Sequence, residues 1–171
     1  MTYRTPVLLQ PSHLLDDFVC RSAAQTEWLV RYARQSTASG TTKVFVVTEG
    51  LSRNVVAFYA WNMAQIHRDG APVRLLKGAG KYPQPVALLA RLGVHHAHER
   101  RGLGAALLRD VMERVALISD EIGCRGLVVH CESDDARDFY RHLIPEFVES
   151  PTDDHHLVLL LKDIKHTLNS A

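Results

Sequence analysis

No stretch of the 171 residues approaches the about 18 consecutive apolar residues of a membrane span. Cysteine is scarce. Cys20, Cys124 and Cys131 form no metal-spaced pair, and their odd number argues against a secreted disulfide framework. The opening Met-Thr-Tyr-Arg-Thr-Pro lacks the apolar core of a signal peptide, so a reduced, cytosolic protein is expected. Charge of either sign is not in excess: 20 basic against 19 acidic residues give a net +1, and global charge names no partner. There is no G-x-x-x-x-G-K-[ST], hence no P-loop. A three-glycine dinucleotide fingerprint is also missing. No internal repeat or low-complexity linker divides the chain, so residues 1–171 read as a single domain, long enough to bury a core.

What is present is an alternation of strands and helices. Thr5–Leu9 is a strand candidate, and Ser12 is placed to cap a short helix through Val19. Ser22 caps a helix over Ala23–Ser36, with Trp28, Leu29 and Tyr32 on one face. Lys43–Thr48 and Val55–Ala64 form an antiparallel hairpin. Residues 66–85 are expected to be irregular, broken by Gly70, Gly78, Gly80, Pro72, Pro83 and Pro85. Val86–Val94 is a strand, and the helix after it packs through Leu103, Leu107, Leu108, Val111, Val115 and Ile118 until Gly123 stops it. Gly126–Cys131 is a strand. Ser133 or Asp134 caps a helix to Leu143, which Pro145 ends. His156–Leu161 is the last strand and Lys162–Leu168 a frayed helix. The order β-α-α-β-β-β-α-β-α-β implies an α/β fold with a mixed central sheet.

The junction after Val86–Val94 is the chemically informative part. A basic turn (Arg100, Arg101, Gly102, Leu103, Gly104) links strand to helix. Its backbone N–H groups have no helical partners, and the helix dipole favours an anion. Glycines at 102 and 104 let a phosphate approach the backbone. A tight packing turn is the alternative reading.

Leu92-Gly93-Val94 followed by Glu99-Arg100-Arg101-Gly102-Leu103-Gly104-Ala105 resembles the acetyl-coenzyme A loop of the GCN5-related N-acetyltransferases, the GNAT family, whose pattern is Gln/Arg-x-x-Gly-x-Gly/Ala. Glu99 departs from it at the first position. A carboxylate facing a pyrophosphate is repulsive, so its side chain is expected to point away, leaving Arg100, Arg101 and the backbone to hold the phosphates. The resemblance implies a GNAT fold, with a mostly antiparallel sheet flanked by helices, and acetyl-CoA lying against Leu92–Val94. A second segment, Ser133-Asp134-Asp135-Ala136-Arg137-Asp138-Phe139-Tyr140, is similar to the family's A-x-x-F-Y element beside the thioester. On that likeness Ser133, Asp134, Ala136 and Phe139 belong to the cofactor site, and Tyr140 is the acid that protonates the departing thiolate. A core role for both aromatics is the alternative, and Phe139 is expected in the core.

Asp17-Phe18-Val19-Cys20, Trp28-Leu29, Pro83–Leu92 and the late Leu-Val-Leu-Leu-Leu-Lys strand further resemble the GNAT toxins of bacterial toxin–antitoxin pairs. Arg21 departs from the glycine common there, a change not expected to bear on chemistry. The likeness implies transfer of acetyl to the α-amine of aminoacyl-tRNA, blocked translation, a ribbon-helix-helix antitoxin through which DNA is contacted, and a homodimer.

The residues speak separately about the acceptor. Val86–Val94 carries no Asp, Glu or His, and its one charge is Arg91. A lysine amine (pKa ~10.4) needs a base, whereas an α-amine near ~8 is partly neutral already. Arg68, Arg74, Lys77 and Lys81, with Arg91 and further Arg31, Arg34 and Lys43, are candidates for tRNA phosphates; a plain solvated loop is the other reading. His95, His96 and His98 lack a fourth ligand, and no metal is expected. His155 and His156 read as edge-strand residues, Cys124 and Cys131 as small core residues. A small-molecule or protein N-acetyltransferase and a non-catalytic acetyl-CoA-binding module remain the alternatives.

Overall fold

The structure is a computed structural model and describes residues 2–170. Its seven strands are β1 (Val7–Leu8), β2 (Lys43–Thr48), β3 (Val55–Ile66), β4 (Gln84–Val94), β5 (Gly126–His130), β6 (Val148–Ser150) and β7 (Asp153–Leu160). They form one sheet in the order β1-β2-β3-β4-β5-β7-β6. β4 and β5 run parallel, while β1–β2, β2–β3, β5–β7 and β6–β7 run antiparallel. The expected mixed, mostly antiparallel α/β sheet is therefore observed. No helix among the described residues is long and apolar enough to cross a membrane.

The chain folds as two compact units, Met1–Asn62 with Ala90–Asp110, and Met63–Leu89 with Val111–Ala171. In the first, the β2–β3 hairpin pairs Val44 with Ala60 and Val46 with Phe58. Ser22 accepts a hydrogen bond from the Gln25 N–H and starts α1 (Ala23–Glu27). The helix widens into a π-helical turn at Trp28–Tyr32 and returns to α geometry as α2 (Ala33–Ala38). Leu29 and Ala33 then sink into a core with Phe18, Val44, Val46 and Phe58.

The helix expected from Ser12 to Val19 does not form. The Leu14 N–H donates to the Arg53 carbonyl at 2.9 Å, and the Val55 N–H donates to the Leu14 carbonyl at 3.1 Å. Neighbouring backbone takes the groups a helix would need, while Leu15, Phe18 and Cys20 bury their side chains. β1 is also shorter than Thr5–Leu9, two residues long.

In the second unit, residues 66–85 are more ordered than expected. A 3-10 turn (Arg68–Gly70) and α3 (Val73–Leu76) dock Ala71 and Leu75 onto Val86, Val128, Val158 and Leu160. Burying a leucine contributes about 2 kcal/mol, enough to overcome the glycines and prolines. α4 (Leu103–Ile118) stops before Gly123. α5 (Asp134–Leu143) has Ser133 as its N-cap, with acids in the first turn and Arg141 and His142 in the last, matching the helix dipole. β6 was not expected: Val148–Ser150 lies between Pro145 and Pro151 and reads as loop, yet Val148 pairs with Val158. α6 (Leu161–Asn169) is anchored by fully buried Ile164 rather than frayed.

Candidate active site

The turn after β4 is built from two left-handed residues. Arg100, at φ 61°, is the one non-glycine with positive φ among the described residues, and Gly102 follows at φ 82°. Such alternation gathers backbone N–H groups on one side, an anion-binding arrangement. The Ala106 N–H donates to the Gly102 carbonyl at 3.0 Å and closes the first turn of α4. The N–H groups of Leu103, Gly104 and Ala105 precede that bond, and Gly102 has no side chain to cap them. A Cβ on Gly102 would meet nothing within 4 Å. Donors at a helix start beside a residue with room above it fit a phosphate.

The side chains of the turn are held by the N-terminal segment. Arg101 donates to the Tyr3 hydroxyl at 3.2 Å, and that hydroxyl lies 2.8 Å from His98 Nδ1. Burial holds the His98 pKa below its ordinary value, against the pull of Glu49 and with help from Arg101. His95 caps the 3-10 turn His96–His98, accepting from the Ala97 N–H at 3.1 Å, and its Nε2 is 3.1 Å from the Asp17 carbonyl. Glu99 is paired with Arg21 at 3.1 Å. Arg100 is exposed.

On β4, Gly93 is required by packing: a Cβ there would stand 2.9 Å from Phe58 Cε1 and 3.3 Å from Cys20 Sγ. Leu92 and Val94 flank it half-buried. Arg91 lies over the Trp28 ring, 5.4 Å from its centroid, and donates to Gln25 Oε1 at 3.4 Å. From Gln84 to Val94 no carboxylate or imidazole is present.

The second unit carries Tyr140. It is buried, edge-on to Phe139 and Phe147 at 5.1 and 6.0 Å between centroids. Among the described residues the buried side-chain polar atoms without a hydrogen-bond partner are Thr37 Oγ1 and Asn62 Oδ1, and the Tyr140 hydroxyl is not one of them. Burial, reinforced by Cys131 and Glu132, pushes its pKa well above the ordinary range. The Cys131 thiol is likewise pushed up by burial, to about 11. Phe139 is 37% exposed, not a core residue as expected, because the next position on a helix points about 100° away from Tyr140. Ser133 accepts from the Ala136 N–H at 3.2 Å, so its side chain caps α5, and Ala136 is half-buried.

Asp134 accepts from His155 at 2.7 Å and lies 3.4 Å from Arg137. The hydrogen bond raises the His155 pKa and lowers that of Asp134. His155 thus favours the fold while protonated, an effect present below its unfolded pKa of ~6.5 and lost as pH rises through its folded value. Asp134 contributes above the ordinary carboxylate range and loses its contribution as pH falls through its folded pKa. An NMR titration should place His155 above ~6.5 in the wild type and return it towards that value in Asp134→Asn. An unshifted His155 in the wild type would refute the pairing.

The basic candidates divide into braced and free side chains. Arg68 donates to the Gly80 carbonyl at 2.5 Å, and Arg74 pairs with Asp163 at 2.9 Å. Arg34 holds the Gln10 and His13 carbonyls, and Arg31 pairs with Glu27 at 3.4 Å. Lys43, Lys77 and Lys81 are exposed. Arg74, Lys77, Arg125 and Lys162 rim a cavity of about 290 Å³ floored by Leu75 and Leu160. Arg125 is fixed there through the Leu75 and Lys77 carbonyls, at 2.6 and 3.2 Å. Sequence reasoning missed Arg125 and Lys162, which stand far from the basic loop in the chain.

The family model described as Acetyltransferase (GNAT) family matches residues 57–143. A "tRNA-acetylating toxin" of Mycobacterium tuberculosis (strain ATCC 25618 / H37Rv) is 34% identical over 163 residues, 95% of this chain and 95% of that protein. AtaT complexed with acetyl-methionyl-tRNAfMet superposes with a TM-score of 0.87 at 20% identity, covering 98% of this chain and 99% of that one. A Tyr-to-Phe mutant of the AtaT toxin, bound to the C-terminus of the antitoxin AtaR and acetyl-CoA, superposes with a TM-score of 0.83 at 19% identity, covering 99% of each chain. The family model over half of the chain and the end-to-end relative show that the chain belongs to the GNAT family of acetyltransferases.

Proposed function

We propose that this chain is a toxin that transfers acetyl from acetyl-CoA to the α-amine of aminoacyl-tRNA and so blocks translation. The observation that carries the substrate class is the end-to-end likeness to a tRNA-acetylating toxin, over 95% of both chains. The residues of β4 support it: with no carboxylate or imidazole from Gln84 to Val94, an acceptor that is neutral near pH 8 suits the strand better than a lysine ammonium.

Acetyl-CoA supplies an acyl group activated as a thioester. The open, donor-rich turn Glu99–Ala105 would hold its diphosphate, and Leu92–Val94 its pantetheine arm. A backbone N–H of Leu92 or Val94 stabilises the negative charge that builds on the carbonyl oxygen. The acceptor nitrogen forms the new C–N bond as the C–S bond breaks, its surplus proton passes to water, and the Tyr140 hydroxyl donates to the departing sulfur. By the likeness to the family, Ser133, Asp134, Ala136 and Phe139 would serve the cofactor, with Ser133 acting through its cap of α5. Arg68, Arg74, Lys77, Lys81 and Arg91, extended by Arg125 and Lys162 at the cavity rim, meet tRNA phosphates. The whole chain acts as one catalytic domain in the cytoplasm, as a homodimer, and is neutralised by a ribbon-helix-helix antitoxin.

Radiolabelled acetyl-CoA offered with charged tRNA, uncharged tRNA, polyamines and lysine peptides tests the reading. Label should enter charged tRNA alone and be released with the amino acid on mild base. Label in peptides or polyamines instead overturns the substrate assignment.

A further inference from the structure

Glu99 poses an electrostatic problem: it is a carboxylate at the mouth of a turn shaped for an anion. Its answer lies 78 residues earlier. Asp17–Arg21 runs beside His95–Glu99, tied by the His96 N–H to the Val19 carbonyl at 2.9 Å and by an antiparallel bridge between Cys20 and His95. The Cys20 N–H donates to Thr26 Oγ1 at 2.9 Å, and the Cys20 thiol to the Ser22 carbonyl at 3.2 Å. The backbone on either side of Arg21 is therefore fixed, and its guanidinium reaches Glu99 Oε2 at 3.1 Å. The Arg21 side chain is 76% exposed and that of Glu99 30%. An ion pair this open adds little to folding. Its consequence falls on whatever anion enters the turn.

We propose that Arg21 is a charge-compensating positioning residue for acetyl-CoA, cancelling Glu99 so that the turn accepts a diphosphate. The two departures from the family pattern are then one device: the acid at position 99 is tolerated because the cation at 21 is paired with it. This rests on the reading of the turn as the cofactor site, but not on the identity of the acceptor.

Calorimetric titration with coenzyme A tests it on four proteins. R21A should weaken binding about tenfold, as an uncompensated carboxylate repels a diphosphate, and E99Q should tighten it. The double variant R21A/E99Q should return to within about threefold of wild type, because no charge is left to cancel. Added salt should weaken binding to R21A less steeply than to the wild type, because one attractive charge has gone and one repulsive charge is now uncompensated. Thermal midpoints should not move. If R21A binds as the wild type does, or if the double variant stays as weak as R21A, the compensation is refuted. If the wild type itself does not bind coenzyme A, the cofactor reading of the turn falls, and this proposal with it.

Discussion

Tyr140→Phe lowers the rate of acetyl transfer by about 10²- to 10⁴-fold, the range expected for loss of a general acid. The substitution removes one oxygen and keeps the ring. The edge-on contacts with Phe139 and Phe147 survive. Stability should therefore stay within about 0.5 kcal/mol. Coenzyme A affinity should also hold, since the diphosphate turn lies on different residues. Burial keeps the phenol protonated beyond its usual range, so Tyr140 should add no alkaline limb to the kcat profile up to pH ~10. Single-turnover transfer, calorimetry with coenzyme A and thermal melts separate these effects. A variant that turns over at the wild-type rate removes Tyr140 from the mechanism.

Gly102→Val should weaken coenzyme A binding about ten- to a hundredfold, the equivalent of losing one charged hydrogen bond worth about 1.5–3 kcal/mol. At φ 82° a β-branched residue is strained, and relief of that strain would turn the N–H groups of the α4 start away from the ligand. The added side chain would also occupy the open space over the turn. The variant should be less stable than wild type by about 1–2 kcal/mol. Unchanged coenzyme A affinity in a folded Gly102→Val protein would place the cofactor elsewhere.

Strands and helices with their own periodicity were legible in the sequence. The β2–β3 hairpin, β4, α4 and the Ser133 cap stand where residue patterns put them, since each signal is local. The failures share a cause in long-range competition. Ser12–Val19 has a helix start signal, but the backbone of Arg53 and Val55 outbids it. α3 and β6 sit among prolines and glycines and exist through Leu75 and Val158, partners distant in sequence. The turn around Gly102 was readable from its glycines and basic residues. That Gly93 answers to Phe58, and that Glu99 answers to Arg21, was not: neither pairing leaves a local trace. Sequence reasoning anticipated that Glu99 would need to be kept from the phosphates; its pairing with Arg21 is what the structure adds.

Neither compact unit is a continuous stretch of chain. The boundaries at 62/63, 89/90 and 110/111 fall inside β3, β4 and α4 rather than in linkers. Order of synthesis therefore matters. A nascent chain that has reached residue 89 has the hairpin and the Arg21 segment but neither the turn that Arg21 serves nor the helix start beneath it. A ribosome stalled there, or a protease cutting there, leaves a fragment without the turn 99–105. Under the proposed function, the chain lacks its diphosphate turn until past the midpoint of its own synthesis.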